Sequence, residues 1–140
     1  VRTHRTLVAA AALAGLAAAA TAGPGDDKKA ICEQAEARYV EIFGKPTSAA
    51  APAVVVTMFN HTFCPQRLSV KQGTVLRFVN VDKRTSHSFW FRDAGRPESE
   101  RFFQGEGADM AVDLPPGEHV FLCGPHWEHE KMTGVLTVTP

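Results

Sequence analysis

Phe121-Leu122-Cys123-Gly124-Pro125-His126-Trp127-Glu128-His129-Glu130-Lys131-Met132-Thr133-Gly134-Val135-Leu136-Thr137-Val138 reads as a strand end, a polar loop and the start of a second strand. The flanking strand-like runs cover residues 118–123 and 134–139. Between them stand a thiol at Cys123, an imidazole at His126 and a thioether at Met132, all side chains that bind soft or borderline metals. Taken singly, each has an ordinary reading: a buried core thiol, a surface histidine, a packed methionine. Their order within one strand–loop–strand unit favours metal binding, because a strand end followed by a short loop holds ligands rigid and convergent.

The chain upstream has the same texture. Residues 54–59 form the first strand candidate, and 68–70 lead to a turn at Gln72-Gly73. Residues 74–80 alternate, with Val75 and Val79 on one face and Leu76 and Phe78 on the other. Residues 86–91 follow as another strand-like run. The polar stretch 92–107 carries Gly95, Pro97, Gly105 and Gly107 and reads mostly as loop. Residues 109–114 resume a strand, and Pro115-Pro116-Gly117 is a tight turn before residue 118. About seven short β-runs with regular turn signals predict an all-β, Greek-key β-sandwich or barrel.

His87, in the 86–91 run, adds an imidazole that an adjacent strand can bring to the loop. Two His, one Cys and a weakly bound axial Met form the ligand set of a type 1 copper site, the kind that transfers single electrons. Four protein ligands leave no open position for a substrate, unlike a catalytic metal site. No Ser/His/Asp arrangement, phosphate loop or paired-carboxylate motif suggests another chemistry, so the chain reads as a non-enzyme. Met58, Met110 and Trp90 are expected in the core, and His61 and His119 as solvated or hydrogen-bonded residues.

The N-terminal region divides from this β-domain. Arg2, His4 and Arg5 precede an Ala/Leu-rich run over 7–20, and Ala20-Thr21-Ala22 fits an A-x-A cleavage site. Residues 1–22 are therefore expected to be a secretory signal peptide, leaving no membrane span once removed and a periplasmic mature protein. Residues 23–53 are expected to form a helix and linker, and 54–140 the copper-binding domain. Asp26 and Asp27 can cap the helix; Ile31, Ala35, Tyr39 and Ile42 form its apolar stripe, and Gly44 and Pro46 stop it. Removing Arg2 and Arg5 leaves 13 basic residues against 15 acidic, a net charge of about −2. That balance excludes a nucleic-acid footprint, which needs a basic face. If Cys123 is a metal ligand, Cys32 and Cys64 remain to pair as a disulfide in an oxidising compartment. Two separate thiols, or a second soft-metal site at Cys64 with Met58 and His61, are the alternatives.

From residue 54 to 140 the chain resembles the cupredoxins, the plastocyanin, pseudoazurin and amicyanin group. The likeness is carried by Phe63-Cys64-Pro65-Gln66-Arg67-Leu68-Ser69-Val70-Lys71-Gln72-Gly73, Val75-Leu76-Arg77-Phe78-Val79-Asn80 and Ser86-His87-Ser88-Phe89, and then by Leu114-Pro115-Pro116-Gly117, Phe121-Leu122-Cys123-Gly124-Pro125-His126 and the run from Met132 to Val138. The resemblance implies one copper ion held by His87, Cys123, His126 and Met132. It also implies a redox partner protein docking near His126 and Trp127, with Glu128 and Glu130 steering a basic partner, and a monomer as the default state. Two departures stand out. Five residues separate His126 from Met132, where plastocyanin-like loops have four, and His129 falls where amicyanin-like loops place their Met, making it the alternative axial ligand. Ser88 replaces the Asn that often follows the first His, which bears on the hydrogen bond expected beside the Cys sulfur.

Two functions fit these residues. One is single-electron transfer by a periplasmic Cu(I)/Cu(II) carrier. The other is periplasmic copper handling or tolerance, using the same site with the additional His, Met and Cys side chains at His129, His61, Met58 and Cys64.

Overall fold

The Val-rich run of strand β1 (Val54–Phe59) has no inside–outside alternation, because both of its faces are covered. Val56 and Met58 face the interior of a two-sheet sandwich, while Val55 faces an N-terminal helix. The computed structural model describes residues 24–140, with side chains from Lys28 onward, so the signal-peptide reading of residues 1–22 lies outside the described residues. Among the described residues, no helix is long and apolar enough to cross a membrane.

Six further strands follow: β2 (Thr62–Cys64), β3 (Arg67–Lys71), β4 (Val75–Asn80), β5 (Gly107–Ala111), β6 (Gly117–Leu122) and β7 (Thr133–Thr139). One sheet has the order β2-β1-β4-β5 and the other β3-β7-β6. The β1–β4 and β3–β7 pairs are parallel, and the other pairs are antiparallel. The chain crosses between sheets at Cys64-Pro65-Gln66, at the Gln72-Gly73 turn and after β5, as an all-β Greek-key sandwich requires. Phe63 and Phe78 from the first sheet meet Phe121 of the second edge-on, with ring centroids 4.8 and 5.7 Å apart.

Two strand expectations need correcting. Residues 86–91 do not form a strand. His87 makes one bridge to Phe102 and Trp90 one bridge to Leu122, so the segment spans from one sheet's side to the other and joins neither ladder. Its place in the count of seven is taken by β2, a three-residue strand paired with β1 across a two-residue turn. Trp90 is only half-buried, its indole N–H donating to the Arg96 carbonyl at the surface.

Helix α1 (Pro24–Phe43) lies on the outer face of the first sheet. Ala35 and Tyr39 are buried there with Val55, Val79 and Val81, and Ile31 and Ile42 pack alongside, which is the stripe expected from the sequence. Residues 45–53 connect the helix to β1 and are mostly exposed. They contain a 3-10 turn, Thr47–Ala50, whose Thr47 N–H and hydroxyl both donate to the Glu36 carboxylate.

A disulfide joins Cys32 of α1 to Cys64 of β2 across a sequence separation of 32 residues. Cys64 is therefore unavailable as a thiolate, and Met58 is fully buried in the sandwich core, so the second soft-metal site at Cys64, Met58 and His61 is ruled out. Closing a loop of that length removes unfolded-chain entropy worth about 3–4 kcal/mol. The Cys32→Ser/Cys64→Ser protein should lose about that much stability in urea denaturation. A loss under about 1 kcal/mol would mean that packing of Ala35 and Tyr39 alone holds the helix.

Candidate metal centre

Cys123 follows directly on β6, where the strand's last ladder partner is Thr133. Beyond it the chain turns tightly: the N–H groups of His126 and Trp127 both donate to the Cys123 carbonyl, at 3.0 and 2.9 Å. The loop is closed by a second pair of backbone bonds. Cys123 N–H donates to the Met132 carbonyl (3.1 Å), and Met132 N–H donates to the His126 carbonyl (3.2 Å). These four bonds fix Cys123, His126 and Met132 relative to one another despite the lengthened loop. Met132 is buried, whereas His129 is exposed.

His87 arrives on the crossing segment. Its backbone exchanges two hydrogen bonds with Phe102 (3.2 and 2.8 Å), and three residues on, the Trp90 carbonyl accepts from Leu122 N–H at 2.9 Å. Leu122 is the neighbour of Cys123, so this last bond sets His87 opposite the thiol. Asn80, fully buried at the end of β4, shapes the approach by donating to the carbonyls of Thr85 and Phe102.

The potential ligand atoms converge. His87 Nδ1 and His126 Nδ1 are 3.2 Å apart, and Cys123 Sγ lies 3.7 Å from the first and 3.3 Å from the second. The circle through three atoms so spaced has a radius of about 2.0 Å, a metal–imidazole bond length and slightly short for a metal–thiolate bond. The donor set is also right: one sulfur and two imidazole nitrogens suit copper. The His87–Cys123–His126 cluster thus fits a metal ion without rearranging the fold.

Outer groups orient these atoms. His87 Nε2 lies 3.3 Å from Asp82 Oδ2, so its proton points to the carboxylate and Nδ1 keeps the lone pair. Asp82 also accepts from the N–H groups of Asn60 and Arg84. Burial works to raise the Asp82 pKa, yet those N–H groups and the His87 ring hold it below the usual carboxylate range. Ser88 answers the question raised by its replacement of Asn. Its backbone N–H points at Cys123 Sγ (3.5 Å), while its hydroxyl accepts from Gly124 N–H and donates to Glu98. A β-carbon at Gly124 would lie 1.9 Å from a Glu98 carboxylate oxygen, so a larger residue there would push the Glu98 side chain aside.

Burial raises the pKa of the Cys123 thiol, against the N–H groups of Ser88 and His126, which favour the thiolate. A metal must therefore displace a proton from it. Burial lowers His126, helped by the neighbouring His61 and opposed by Glu130. Burial pushes His87 down to about 4, although Asp82 works to raise it. Both imidazoles are thus kept neutral and ready to ligate.

Two participants were not legible as such in the sequence. Asp82 precedes His87 by five residues on an irregular turn, a spacing with no periodic signature. His61, expected as a solvated or hydrogen-bonded residue, is half-buried with its ring 4.6 Å from that of His126 and 6.1 Å from that of His87. The signal available for it was Asn60-His61 between two strand-like residues, which marks a two-residue hairpin turn.

A sandwich of two sheets with a buried His-Cys-His cluster at one end is the architecture of blue copper proteins. A family model described as a cupredoxin-like domain matches residues 7–138, and the chain belongs to that family. No curated protein matches it by sequence. Among solved structures, a mutant fern plastocyanin is 24% identical with a TM-score of 0.52, covering 61% of this chain and 100% of its own. An amicyanin mutant is 20% identical with a TM-score of 0.55, covering 64% of this chain and 85% of its own. A copper-containing nitrite reductase from Thermus scotoductus SA-01 is 25% identical with a TM-score of 0.51 over 63% of this chain, which spans only 22% of the reductase. The cupredoxin fold and the His87–Cys123–His126 cluster fit a single type 1 copper ion and point to copper binding and electron transfer.

The neutral state of His87 has a consequence for the metal-free protein. The unfolded chain takes up this proton near pH 6.5, but the folded chain only near pH 4. Stability is therefore full above about 6.5, falls as the pH drops below it, and levels off below about 4. A single group shifted this far contributes up to roughly 3 kcal/mol, with His126 adding in the same direction. Urea denaturation of metal-free protein across this range should show the decline, and His87→Gln should flatten it. An unchanged slope in that variant would locate the effect elsewhere.

Proposed function

We propose that this protein is an exported single-electron carrier whose copper is held by His87, Cys123 and His126 in a plane, with Met132 as axial ligand. The observation that carries the reading is the convergence of two neutral imidazoles and a thiol, from segments far apart in the chain, into a triangle 3.2–3.7 Å on a side with only His126 partly exposed. Bound copper supplies the one-electron Cu(I)/Cu(II) couple. The chain's own residues do the rest. The Asp82 and Ser88 contacts keep the ligand atoms from moving between oxidation states, which keeps the reorganisation accompanying electron transfer small. His87 and Cys123 are fully buried, so water does not compete for the ion.

Met132 is preferred over His129 on two grounds. Its backbone is hydrogen-bonded to those of Cys123 and His126, and its side chain is buried, whereas His129 is exposed. The half-buried edge of His126 provides the route for the electron. Beside it is Trp127, half-buried with the Arg92 guanidinium 4.7 Å from its ring centroid, and this patch is our candidate surface for a redox partner. With Glu128 and Glu130 exposed nearby, a basic partner face is the best match. Export to the periplasm is consistent with the Cys32–Cys64 disulfide, a bond that persists in oxidising compartments. A copper-handling role, including copper tolerance, is the second reading; the observation in its favour is His61 beside the two imidazoles.

Titration of metal-free mature protein with Cu(II), followed by optical and EPR spectroscopy, tests the site. We expect an intense visible band saturating at one equivalent, abolished in Cys123→Ser. Met132→Ala should alter the spectrum and His129→Ala should not; the reverse pattern would move the axial role to His129. A second tightly bound equivalent of Cu(I) would favour copper handling over a simple carrier.

A further inference from the structure

Three imidazoles stand at this end of the sandwich, and the third has been placed there with some force. His61 occupies the turn between β1 and β2, where Phe59 pairs with Thr62. Asn60 and His61 both have positive φ, 45° and 52°. This is the type I′ geometry, in which glycine is the favoured second residue. A histidine there carries a steric cost that glycine would not, and such outliers point to use of the side chain.

The turn is also anchored towards the metal ligands. Asn60 N–H donates at 3.0 Å to Asp82 Oδ2, the same oxygen that lies 3.3 Å from His87 Nε2. One carboxylate oxygen thus ties the His61 turn to a ligand ring. On the other side, the β2 strand is bound to α1 through Cys32–Cys64 and through Lys28 Nζ donating to Thr62 Oγ1 at 2.9 Å. Helix, disulfide, hairpin and Asp82 all fix where His61 sits.

Burial sets an order among the four groups. Cys123 and His87 are fully buried, while His126 and His61 are half-buried with rings 4.6 Å apart. An ion coming from solvent meets the two partly exposed imidazoles before it can reach the thiol. Imidazole nitrogen is a good donor for copper in either oxidation state.

We propose that His61 is the receiving ligand for copper: with His126 it captures the ion at the rim and then releases it inward to Cys123 and His87. The proposal rests on the reading of the buried triangle as the copper site. The inward step is a ligand exchange without change of oxidation state. The bond from the His61 nitrogen breaks, leaving that nitrogen with its lone pair. Bonds from Cys123 Sγ and His87 Nδ1 form, and the thiol proton leaves to solvent.

The test is stopped-flow loading of the metal-free mature protein with Cu(II), read as the growth of the thiolate–copper band. It compares wild type with His61→Gly and His61→Asn. Both substitutions suit a left-handed backbone, so the turn should persist, and circular dichroism checks the fold. The expected result is an unchanged final band at one equivalent, reached about tenfold more slowly in both variants, the lower end of what loss of a residue supporting a metal site costs. Rates within twofold of wild type would overturn the proposal. So would faster loading, which would make His61 a lid. If wild type itself forms no thiolate–copper band, the copper reading fails and this proposal falls with it, an outcome separate from any difference in rate.

Discussion

The hydrogen bond from Leu122 to the Trp90 carbonyl ties the site together. It joins the segment bearing His87 to the strand that delivers Cys123, two ligands 36 residues apart in the chain. A triangle with sides of 3.2–3.7 Å tolerates little sliding between that segment and the strand. The aromatic packing below it resists that sliding. Phe121, two residues before Cys123, is wedged against Phe63, Phe78 and Phe91, and it lies across Gly134, where a β-carbon would come within 2.2 Å of the ring. This glycine, second in β7, therefore serves the metal centre as well as the core.

Around this frame, polar groups set the chemistry of the ligand atoms. Asp82 turns the His87 ring so that Nδ1 faces inward, and burial keeps both imidazoles neutral. Ser88 does with a backbone N–H and a hydroxyl what a side-chain amide would do elsewhere, bracing the sulfur and the following turn against Glu98. The N-terminal helix, which looks peripheral, reaches the same site through the disulfide to β2 and the hairpin beyond it. Stability and metal chemistry are linked here because the same elements carry both.

Much of this was legible in the sequence. The strand–loop–strand unit around Cys123, His126 and Met132 reads directly, since ligands close in sequence are close in space. The alternation in β4 and the apolar stripe of α1 follow from period. The errors have physical causes. Residues 86–91 carry strand-like residues but make only two isolated bridges, His87 to Phe102 and Trp90 to Leu122, and single-sequence patterns cannot distinguish a ladder from a crossing. The β2 strand is too short to show a pattern and exists because β1 is there to pair with it. Trp90 was expected in the core, but the crossing segment leaves it half-buried, with Arg92 over its ring.

The sequence by itself determined the residue types: cysteine, histidine and methionine side chains in an order that suits copper, on a chain patterned for short strands. These are properties of composition and local spacing, and they survive without any fold. Only the tertiary structure decided which imidazoles meet the thiol, that Asp82 and Ser88 orient them, and that His61 stands beside them while His129 remains exposed. The reason is separation along the chain. His87 lies 36 residues from Cys123, and His61 belongs to another hairpin. Such distances close only when two sheets pack and a crossing segment is pinned between them.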